Sequence, residues 1–344
     1  MRVQLKPISE QVIVITGASS GIGLATARLA AKQGAKLVVA ARSGDDLSQL
    51  VQELEASGCE ATSIDADVSD EAQVRRIAKV AIERFGGFDT WVNNAGVSVY
   101  GDCLTVPVAD MRRIFETNVW GVVHGSRVAC EHLLQRGGAL INVGSEVSDK
   151  AVPLQGAYSA SKHAVKGWTD ALRMELEQRS APISVTLIKP GPIDTPYTQH
   201  AKNYLADKPT HAPPVYRPES VAEAILYAAR TPVRDLFIGS GARMVAAMDR
   251  WAPRLTDRVV GRMVSRGTHS GRPVSGGDAL YEPGGGLQER GDYEGMTRRS
   301  LYTSAAMHPV AAGAVAIGAT LLIGSWLRSG SDAGSGHSRH SHLN

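Results

Sequence analysis

Short apolar runs alternate with segments of helical periodicity along the first two thirds of the chain, and this alternation restricts the fold more than any other feature. Helical periodicity appears at residues 23–34, 45–57 and 71–85. Strands that are apolar on both faces and separated by helices indicate a parallel sheet covered on both sides. The sequence therefore predicts an α/β fold with a doubly wound parallel sheet in one catalytic domain, residues 1–240. The strand-like runs are residues 12–15, 36–41, 62–67, 90–93, 139–143, 184–188 and 235–239.

Composition and charge exclude several classes of protein. The chain has 344 residues, of which 43% are hydrophobic and 21% charged, as is usual for a globular protein in solution. The net charge of +3 gives no indication of a nucleic-acid partner. Cys59, Cys103 and Cys130 are odd in number and far apart, which favours reduced thiols over a disulfide framework or a metal site. Residues 1–7 lack the apolar stretch of a signal peptide, so we expect a cytoplasmic catalytic domain.

A glycine-rich turn, residues 16–23, follows the first predicted strand and precedes the first predicted helix. Its spacing is Gly-x-x-x-Gly-x-Gly, with glycines at Gly17, Gly21 and Gly23. Glycines let the backbone turn tightly and approach a pyrophosphate, whose charge the exposed helix N-terminus stabilises. An isolated turn of this kind is often structural only, but its place after the first strand of such a fold favours a dinucleotide.

The end of the second predicted strand bears on which dinucleotide binds. An acidic side chain there would bind both ribose hydroxyls of NAD and repel a 2′-phosphate. The strand instead runs into Arg42, whose guanidinium can pair bidentately with a phosphate, and it carries no acid. The sequence therefore predicts NADP(H) in preference to NAD(H). The alternative is that Arg42 is an ordinary surface charge at the start of a loop.

Tyr158 and Lys162 are four residues apart, which places them on one face if this segment is helical. A free phenol has a pKa of about 10 and is a weak acid at neutral pH. A neighbouring ammonium favours the phenolate, so we expect Lys162 to lower the pKa of Tyr158 toward the working range. A tyrosine and a lysine also meet at this spacing on solvated helix faces, so the pair needs support from the rest of the chain.

That support is an ordered set of motifs in which the chain resembles the classical short-chain dehydrogenase/reductase family over residues 8–240. The resemblance implies a Rossmann fold and a set of cofactor contacts in which Asp67 and Val68 touch the adenine, residues 93–96 steady the sheet, and Ile193 and Thr195 lie near the nicotinamide carboxamide. The expected cofactor-binding residues are Gly17, Ser19, Ser20, Gly21, Ile22, Gly23, Arg42, Asp67, Val68, Asn94, Ala95, Gly96, Tyr158, Lys162, Pro190, Gly191, Ile193 and Thr195.

The resemblance also implies the reaction, a hydride transfer between nicotinamide and a carbonyl or secondary alcohol carbon. Tyr158 is then the general acid in reduction and the base in oxidation, and Lys162 lowers its pKa and holds the ribose. Ser145 would hydrogen-bond the substrate oxygen, and Asn118 would hold a water that links Lys162 to solvent. Glu146 departs from the family, which commonly has a small residue there; its carboxylate either points away or lines the substrate entrance and disfavours anions.

The substrate and the partners are less restricted by the sequence. Aromatic and histidine residues in the loop at 192–217 would either grip a lipophilic carbonyl or alcohol compound or pack on the domain surface. The resemblance implies a homodimer or homotetramer formed through the helices that carry Asn118 and Tyr158. A non-catalytic NADP-sensing or scaffold protein is the alternative function, but such a protein would be expected to lose the tyrosine or the lysine.

Beyond residue 240 the sequence changes character. Residues 241–300 predict basic amphipathic helices followed by a flexible linker rich in Gly, Pro, Ser and Asp. Residues 301–328 predict a hydrophobic helix, and its segment 305–327 is long enough to cross a bilayer of about 30 Å. A spanning anchor, an interfacial helix and a helix packed in a dimer are the alternatives, of which membrane attachment is favoured. Residues 329–344 are expected to be a disordered tail.

Overall fold

A computed structural model describes residues 3–274 and 277–308, and within them seven parallel strands form one central sheet. The order across this sheet is β10-β7-β6-β4-β1-β2-β3. This confirms the predicted doubly wound α/β fold. The strands of the sheet are β1 (Val12–Thr16), β2 (Lys36–Ala41), β3 (Ala61–Asp65), β4 (Thr90–Asn93), β6 (Gly138–Val143), β7 (Ile183–Pro190) and β10 (Asp235–Ile238). Two parallel pairs of two-residue strands lie outside it, β5 (Val99–Tyr100) with β8 (Lys202–Asn203) and β9 (Val215–Tyr216) with β11 (Thr297–Arg298).

Helices connect the strands and cover the sheet. They are α1 (Gly21–Lys32), α2 (Gly44–Ala56), α3 (Glu71–Phe85), α4 (Val108–Phe115), α5 (Gly121–Arg136), α6 (Gly156–Gln178), α7 (Tyr197–His200), α8 (Pro218–Arg230), α9 (Ser240–Trp251), α10 (Pro253–Gly267) and α11 (Leu301–Met307). Short 3₁₀ turns occupy Ile8–Glu10 and Glu146–Ser148, and a π-helical turn at Glu116–Trp120 joins α4 to α5.

Helix α3 shows how the sequence specifies these elements. The Asp70 carboxylate accepts a hydrogen bond from the backbone N–H of Ala72 and so caps the helix start. Val74, Ile77, Ala78 and Ala81 recur at helical spacing and are all buried. The next residue after α3, Gly86, has φ of 77°, a left-handed conformation that ends a helix at little cost when the residue is glycine.

Strand β1 lies in the interior of the sheet between β4 and β2, and its five residues are all buried. It pairs in parallel with β2 on one side and β4 on the other, so the direction of winding reverses at β1. In a doubly wound sheet, ligands bind in the crevice outside the carboxyl ends of the strands at this reversal. The glycine-rich turn leaves β1 at that position and leads directly into α1.

The chain after residue 240 differs from the sequence-based expectation. One compact unit runs from Met1 to Thr303, so residues 241–303 belong to the same body as the sheet, and a second unit begins at Ser304. Residues 277–295, here called the strap, were expected to be a flexible linker. The strap is instead fixed by tertiary contacts, because Leu280 is fully buried and the phenol of Tyr281 donates to the Asp110 carboxylate at 2.7 Å.

The predicted membrane segment falls mostly outside this description. Among the residues that the structure describes, no helix has the length and apolarity needed to cross a bilayer. Residues 309–327 of the predicted 305–327 segment, and the whole predicted tail at 329–344, lie outside the described residues.

Replacing Leu280 by alanine tests whether the strap is an integral part of the fold. Because the Leu280 side chain is fully buried with Val97, Val99 and Ile114, its truncation should lower the free energy of unfolding by about 2–5 kcal/mol or release the strap. Urea unfolding and limited proteolysis near residues 277–295 measure the two effects. Leu104→Ala is the control, since Leu104 is 95% exposed. Equal stability and protease resistance in both variants would contradict the packing described here.

Candidate active site

The glycine-rich turn has a geometry that only glycine satisfies at two of its positions. Gly17 has φ of +66°, and a Cβ atom there would lie 2.7 Å from Ala95 Cα. A Cβ atom at Gly23 would lie 2.1 Å from the carbonyl oxygen of Gly17, far inside van der Waals contact. The Asn94 amide braces the turn by donating to the carbonyls of Thr16 at 3.0 Å and Gly17 at 3.1 Å. This packing keeps side chains away from the turn, which lets a pyrophosphate approach its backbone near the N-terminus of α1.

Two adjoining clefts lie at the carboxyl edge of the sheet. Most of the predicted cofactor residues line the outer cleft, namely Gly17, Ser19, Ser20, Gly21, Ile22, Arg42, Asp67, Val68, Asn94, Ala95, Gly96 and Thr195. The inner cleft is lined by Ser145, Tyr158, Lys162, Pro190, Gly191 and Ile193, among other residues. Because Ile22, Asn94, Gly96, Thr195 and Tyr197 border both, the two clefts are continuous. Gly23, the last residue of the turn, lines neither cleft, and neither does Asn118, which lies behind Gly96.

Arg42 is placed at the mouth of the outer cleft, where it contacts the strap. Its guanidinium donates to the carbonyl oxygens of Ala279 at 2.5 Å, Glu282 at 3.0 Å and Tyr281 at 3.1 Å, with a longer contact of 3.4 Å to Leu280. Burial lowers the pKa of Arg42 from its usual value. The sequence predicted the position of this arginine but not the backbone carbonyls that surround it.

Asp67, the predicted adenine contact, is held by its neighbours. Its carboxylate accepts from Arg113 at 2.6 Å and from the backbone N–H and hydroxyl of Ser69 at 2.9 and 2.8 Å. Burial opposes ionisation of Asp67, but the hydrogen bonds from Arg113 and Ser69 outweigh it and hold its pKa below the usual value. Arg113 also donates to the Leu280 carbonyl at 3.1 Å, which ties this corner to the strap.

The strap continues along the outer cleft toward the inner one. The N–H of Gly21, at the start of α1, donates to the Gln288 carbonyl at 2.8 Å. Glu289 forms an ion pair with Arg28 at 2.8 Å, and a Cβ atom at Gly291 would lie 2.4 Å from the Thr195 carbonyl oxygen. The strap thus forms one wall of the outer cleft. Sequence reasoning missed this role because the Gly- and Pro-rich composition carries no local signal of it.

Ser145, Tyr158 and Lys162 come together in the inner cleft. Ser145 follows β6 and caps the 3₁₀ turn, its hydroxyl accepting from the N–H of Val147 at 3.3 Å. Helix α6 carries Tyr158 and Lys162 on one face, as predicted, and the Lys162 ammonium lies 5.7 Å from the centroid of the Tyr158 ring. Lys162 is buried and donates to the Val143 carbonyl at 2.9 Å.

The pKa values of this pair differ from the sequence-based expectation. Burial raises the pKa of Tyr158, while interactions with the hydroxyls of Tyr197 and Ser145 act in the opposite direction. Burial lowers the pKa of Lys162 to about 8. The expected lowering of the Tyr158 pKa by Lys162 is therefore not found in the polypeptide by itself, because removal from water favours the neutral form of both groups.

Asn118 lies in the π-helical turn between α4 and α5. Its side chain pairs with the backbone of Val97, accepting at 2.8 Å and donating at 3.0 Å, and it also donates to the Ser161 hydroxyl at 3.1 Å. A Cβ atom at Gly96 would lie 3.4 Å from Asn118 Oδ1 and 3.8 Å from Lys162 Nζ, so both groups flank this glycine. Short π-helical turns inside α-helices are frequent at functional sites.

The segment after β7 forms the floor between the clefts. The N–H of Gly191 donates to the Ile238 carbonyl at 2.9 Å, and Ile193 forms a bridge to Tyr216. The Thr195 hydroxyl makes a long 3.5 Å contact to the Ile193 carbonyl. A Cβ atom at Gly21 would lie 3.2 Å from Thr195 Cβ, so the end of this segment reaches the glycine-rich turn.

Tyr197 and His211 were noted in the sequence only as members of an aromatic loop. The Tyr197 ring packs edge-on to Tyr158, with centroids 5.5 Å apart, and stacks on His211 at 6.0 Å. Its phenol donates to the Ser98 hydroxyl at 2.7 Å and accepts from the Gln155 amide at 2.9 Å. Tyr197 and His211 therefore line the inner cleft, and whether the loop binds a substrate stays a prediction.

The described residues hold no group of three or more His, Cys, Asp or Glu side chains arranged for a metal ion. A doubly wound sheet, a braced glycine-rich turn at its switch point and an adjoining Ser-Tyr-Lys cluster together define a dinucleotide-dependent oxidoreductase. Comparison with known proteins agrees, because the sequence profile of the short chain dehydrogenase family matches residues 11–205. The chain belongs to the short-chain dehydrogenase/reductase family.

Relatives with known sequences and structures support this assignment. The chain is 50% identical over 323 residues to YxnA of Bacillus subtilis, named as an uncharacterized oxidoreductase, and the similarity covers 92% of this chain and 91% of YxnA. A short-chain dehydrogenase/reductase from Burkholderia phymatum in complex with NAD is 27% identical, with a TM-score of 0.67 over 73% of this chain and 96% of that one.

A second structural neighbour carries the other cofactor. The alcohol dehydrogenase from Thermococcus sibiricus complexed with 5-hydroxy-NADP is 29% identical, with a TM-score of 0.59 over 66% of this chain and 95% of that one. The two neighbours bind NAD and an NADP derivative respectively, so structural similarity to them does not indicate which cofactor this chain prefers.

Replacing Gly23 by alanine tests the geometry of the glycine-rich turn. Because the added Cβ would lie 2.1 Å from the Gly17 carbonyl oxygen, the turn must move, and the affinity for NADH and for NADPH should fall by at least about tenfold, or 1.4 kcal/mol. Quenching of protein fluorescence by each reduced cofactor measures the affinity. Gly167→Ala on α6 is the control, since its added Cβ meets nothing within 4 Å. An unchanged affinity in Gly23→Ala would show that the turn is not the cofactor site.

Proposed function

We propose that the protein is an NADP(H)-dependent carbonyl reductase or alcohol dehydrogenase that uses Tyr158 as its acid/base. The observation that carries this proposal is the placement of Ser145, Tyr158 and Lys162 in a cleft continuous with the braced glycine-rich turn. A nucleotide held along the outer cleft would present its reactive end to the inner cleft. NADP(H) would supply the hydride, which the protein's own side chains cannot.

The polypeptide contributes position and proton transfer. Tyr158 and Ser145 both face the inner cleft, so a substrate carbonyl oxygen between their hydroxyls would receive two hydrogen bonds. Ser145 would stabilise the negative charge that develops on that oxygen. Burial raises the pKa of Tyr158 and so holds its phenol protonated, ready to donate in the direction of reduction. In oxidation Tyr158 would act as the phenolate and receive the proton of the alcohol.

Lys162 and Asn118 would assist the proton transfer to and from Tyr158. The Lys162 ammonium is fixed by the Val143 carbonyl beneath the Tyr158 ring, where it can stabilise a phenolate and hold the ribose. With its pKa lowered to about 8, Lys162 can exchange a proton near neutral pH. Asn118, on the other side of Gly96, would hold the water through which that proton reaches solvent.

The preference for NADP(H) over NAD(H) rests on Arg42. β2 ends without an acid, and the nearby Asp67 is paired with Arg113, which reduces its repulsion of a 2′-phosphate. The guanidinium already binds strap carbonyls, and a phosphate would share it with them or displace some of them. Asp67 and Val68 would contact the adenine, and the segment from Pro190 to Thr195 would contact the nicotinamide.

The non-catalytic alternative is less well supported. A sensor or scaffold on this fold needs the glycine-rich turn but has no use for an acid, a base and an oxyanion donor in the same cleft. Here Ser145 and Tyr158 line that cleft together with Lys162, and Asn118 lies directly behind it.

We also propose a homodimer or homotetramer built through α5 and α6. Two large apolar side chains are exposed on this part of the surface, Trp120 at 49% just before α5 and Met174 at 53% on α6. Light scattering after gel filtration measures the oligomeric state and tests this proposal.

Attachment to a membrane through residues 305–327 stays a separate proposal that rests on sequence alone. Fractionation of cells that express the chain with and without residues 301–344 tests it.

Removing the Tyr158 hydroxyl tests the proposed acid. Tyr158→Phe keeps the ring but not the proton, so kcat for reduction of aldehydes and ketones by NADPH should fall by at least about a hundredfold. The affinity for NADPH should change little. Tyr227→Phe on α8 is the matched control and should retain activity. Activity retained by Tyr158→Phe would remove Tyr158 from the mechanism.

The cofactor preference is tested by Arg42→Ala. Loss of a guanidinium from a phosphate should raise KM for NADPH by at least about tenfold, since hydrogen bonds to charged groups contribute about 1.5–3 kcal/mol. KM for NADH should change little, and Arg230→Ala, an exposed arginine on α8, should affect neither. Equal losses for both cofactors would assign Arg42 to holding the strap alone. A wild-type preference for NADH would refute the proposed cofactor.

A further inference from the structure

Glu146 stands next to Ser145 in the 3₁₀ turn and lines the inner cleft. Its carboxylate reaches Gly191, where a Cβ atom would lie 3.4 Å from Glu146 Oε2. It is also close enough to Tyr158 to raise the pKa of that phenol by charge repulsion. The carboxylate therefore points into the space beside the reacting groups, which settles the alternative that the sequence left open.

The Glu146 carboxylate has no hydrogen bond or ion pair with any side chain or backbone group of the described residues. Its neighbours in the chain are different, since Asp149 pairs with Lys189 at 2.9 Å and Lys150 pairs with Asp249 at 2.7 Å. The buried ammonium of Lys162 is directed to the Val143 carbonyl. A carboxylate that lines the cleft and is paired with no cation has its charge available to a ligand.

The Glu146 carboxylate has lost water without gaining a cationic partner, which is unfavourable. A ligand that supplies a cation would reduce this unfavourable free energy. Burial raises the pKa of Glu146 to about 7, as expected for a carboxylate that has lost water and has no ion-pair partner among the described residues. A cationic group of a ligand would supply that partner, whereas an anionic group would add repulsion.

The rest of the inner cleft restricts the kind of cation. Apolar side chains form much of the wall around Glu146, including Val147, Val152, Ile193 and Val264. A bare ammonium would lose water against such walls, but an alkylated ammonium has apolar substituents that pack there. Its diffuse charge is less strongly hydrated, so bringing it next to a carboxylate costs less.

We propose that Glu146 forms a cation subsite in the inner cleft, which makes carbonyl compounds and alcohols that carry an alkylated ammonium group the preferred substrate class. The proposal deepens the function proposed above and rests on it. The ammonium binds at Glu146, and the carbonyl oxygen lies between Ser145 and Tyr158. Glu146 is thus a specificity-determining residue that takes no part in proton or hydride transfer.

Two ketones of the same shape separate charge from size. Acetonyltrimethylammonium and methyl neopentyl ketone differ only in the atom that bears the three methyl groups, nitrogen in one and carbon in the other. Both are titrated by calorimetry into the protein saturated with NADPH, in a Tyr158→Phe background so that binding is measured without turnover. The charged ketone should bind at least about tenfold more tightly, as for a desolvated ion pair.

Glu146→Gln in the same background should reduce the ratio of the two affinities by at least about tenfold. Glu223→Gln is the control, because it removes one negative charge from an exposed site on α8 and should leave the ratio unchanged. Equal affinities for the two ketones, no measurable binding of the charged one, or a ratio that survives Glu146→Gln would each overturn the proposal. The first two of these outcomes are measured without a substitution at Glu146. They therefore test the proposal even if the Glu146→Gln variant does not fold.

Failure of this subsite is distinguishable from failure of the proposed function. If the protein reduces neutral ketones with NADPH and loses this activity in Tyr158→Phe, but shows no charge preference, the oxidoreductase proposal stands and the cation subsite falls. If Tyr158→Phe remains active, the mechanism falls, and the ratio of kcat/KM for the two ketones, with and without Glu146→Gln, then reports on Glu146.

Discussion

The parallel direction of the seven strands is the constraint on which the rest of the structure depends. Because all of them end at the same edge, the turn after β1, the segment after β4, Ser145 after β6 and the segment after β7 are brought together although they are far apart in sequence. The hydrogen bonds from Asn94 to the carbonyls of Thr16 and Gly17 then join two of these segments directly. A loss of register between β1 and β4 would separate the cofactor turn from its brace.

This arrangement was largely predictable from the sequence because it depends on local patterns. β2 and β4 have the predicted limits, and Tyr158 and Lys162 share a helix face as their spacing requires. The strap was not predictable, because its order comes from single long-range contacts such as those between Arg42 and the carbonyls of residues 279–282. Any residue provides a carbonyl, so no side-chain pattern marks such a contact.

The pKa values were mispredicted for a related reason. Spacing placed an ammonium near a phenol, but it gave no information on how much water either group keeps. In the folded chain, burial outweighs the attraction between them and shifts both toward neutrality, and Glu146 adds a negative charge on the same side. The inner cleft is therefore poor in compensating charge, and any positive group that enters it acts on the Glu146 carboxylate and the Tyr158 phenol together.

The strap also has a consequence for the order of folding. Arg42 and its carbonyl partners are separated by about 240 residues. These contacts therefore close a loop that contains nearly the whole catalytic domain, and the chain entropy of closing that loop is lost once for all of them together. The sheet and the glycine-rich turn can form on a nascent chain well before residues 277–295 leave the ribosome. The outer rim of the dinucleotide cleft is then the last part of the site to assemble.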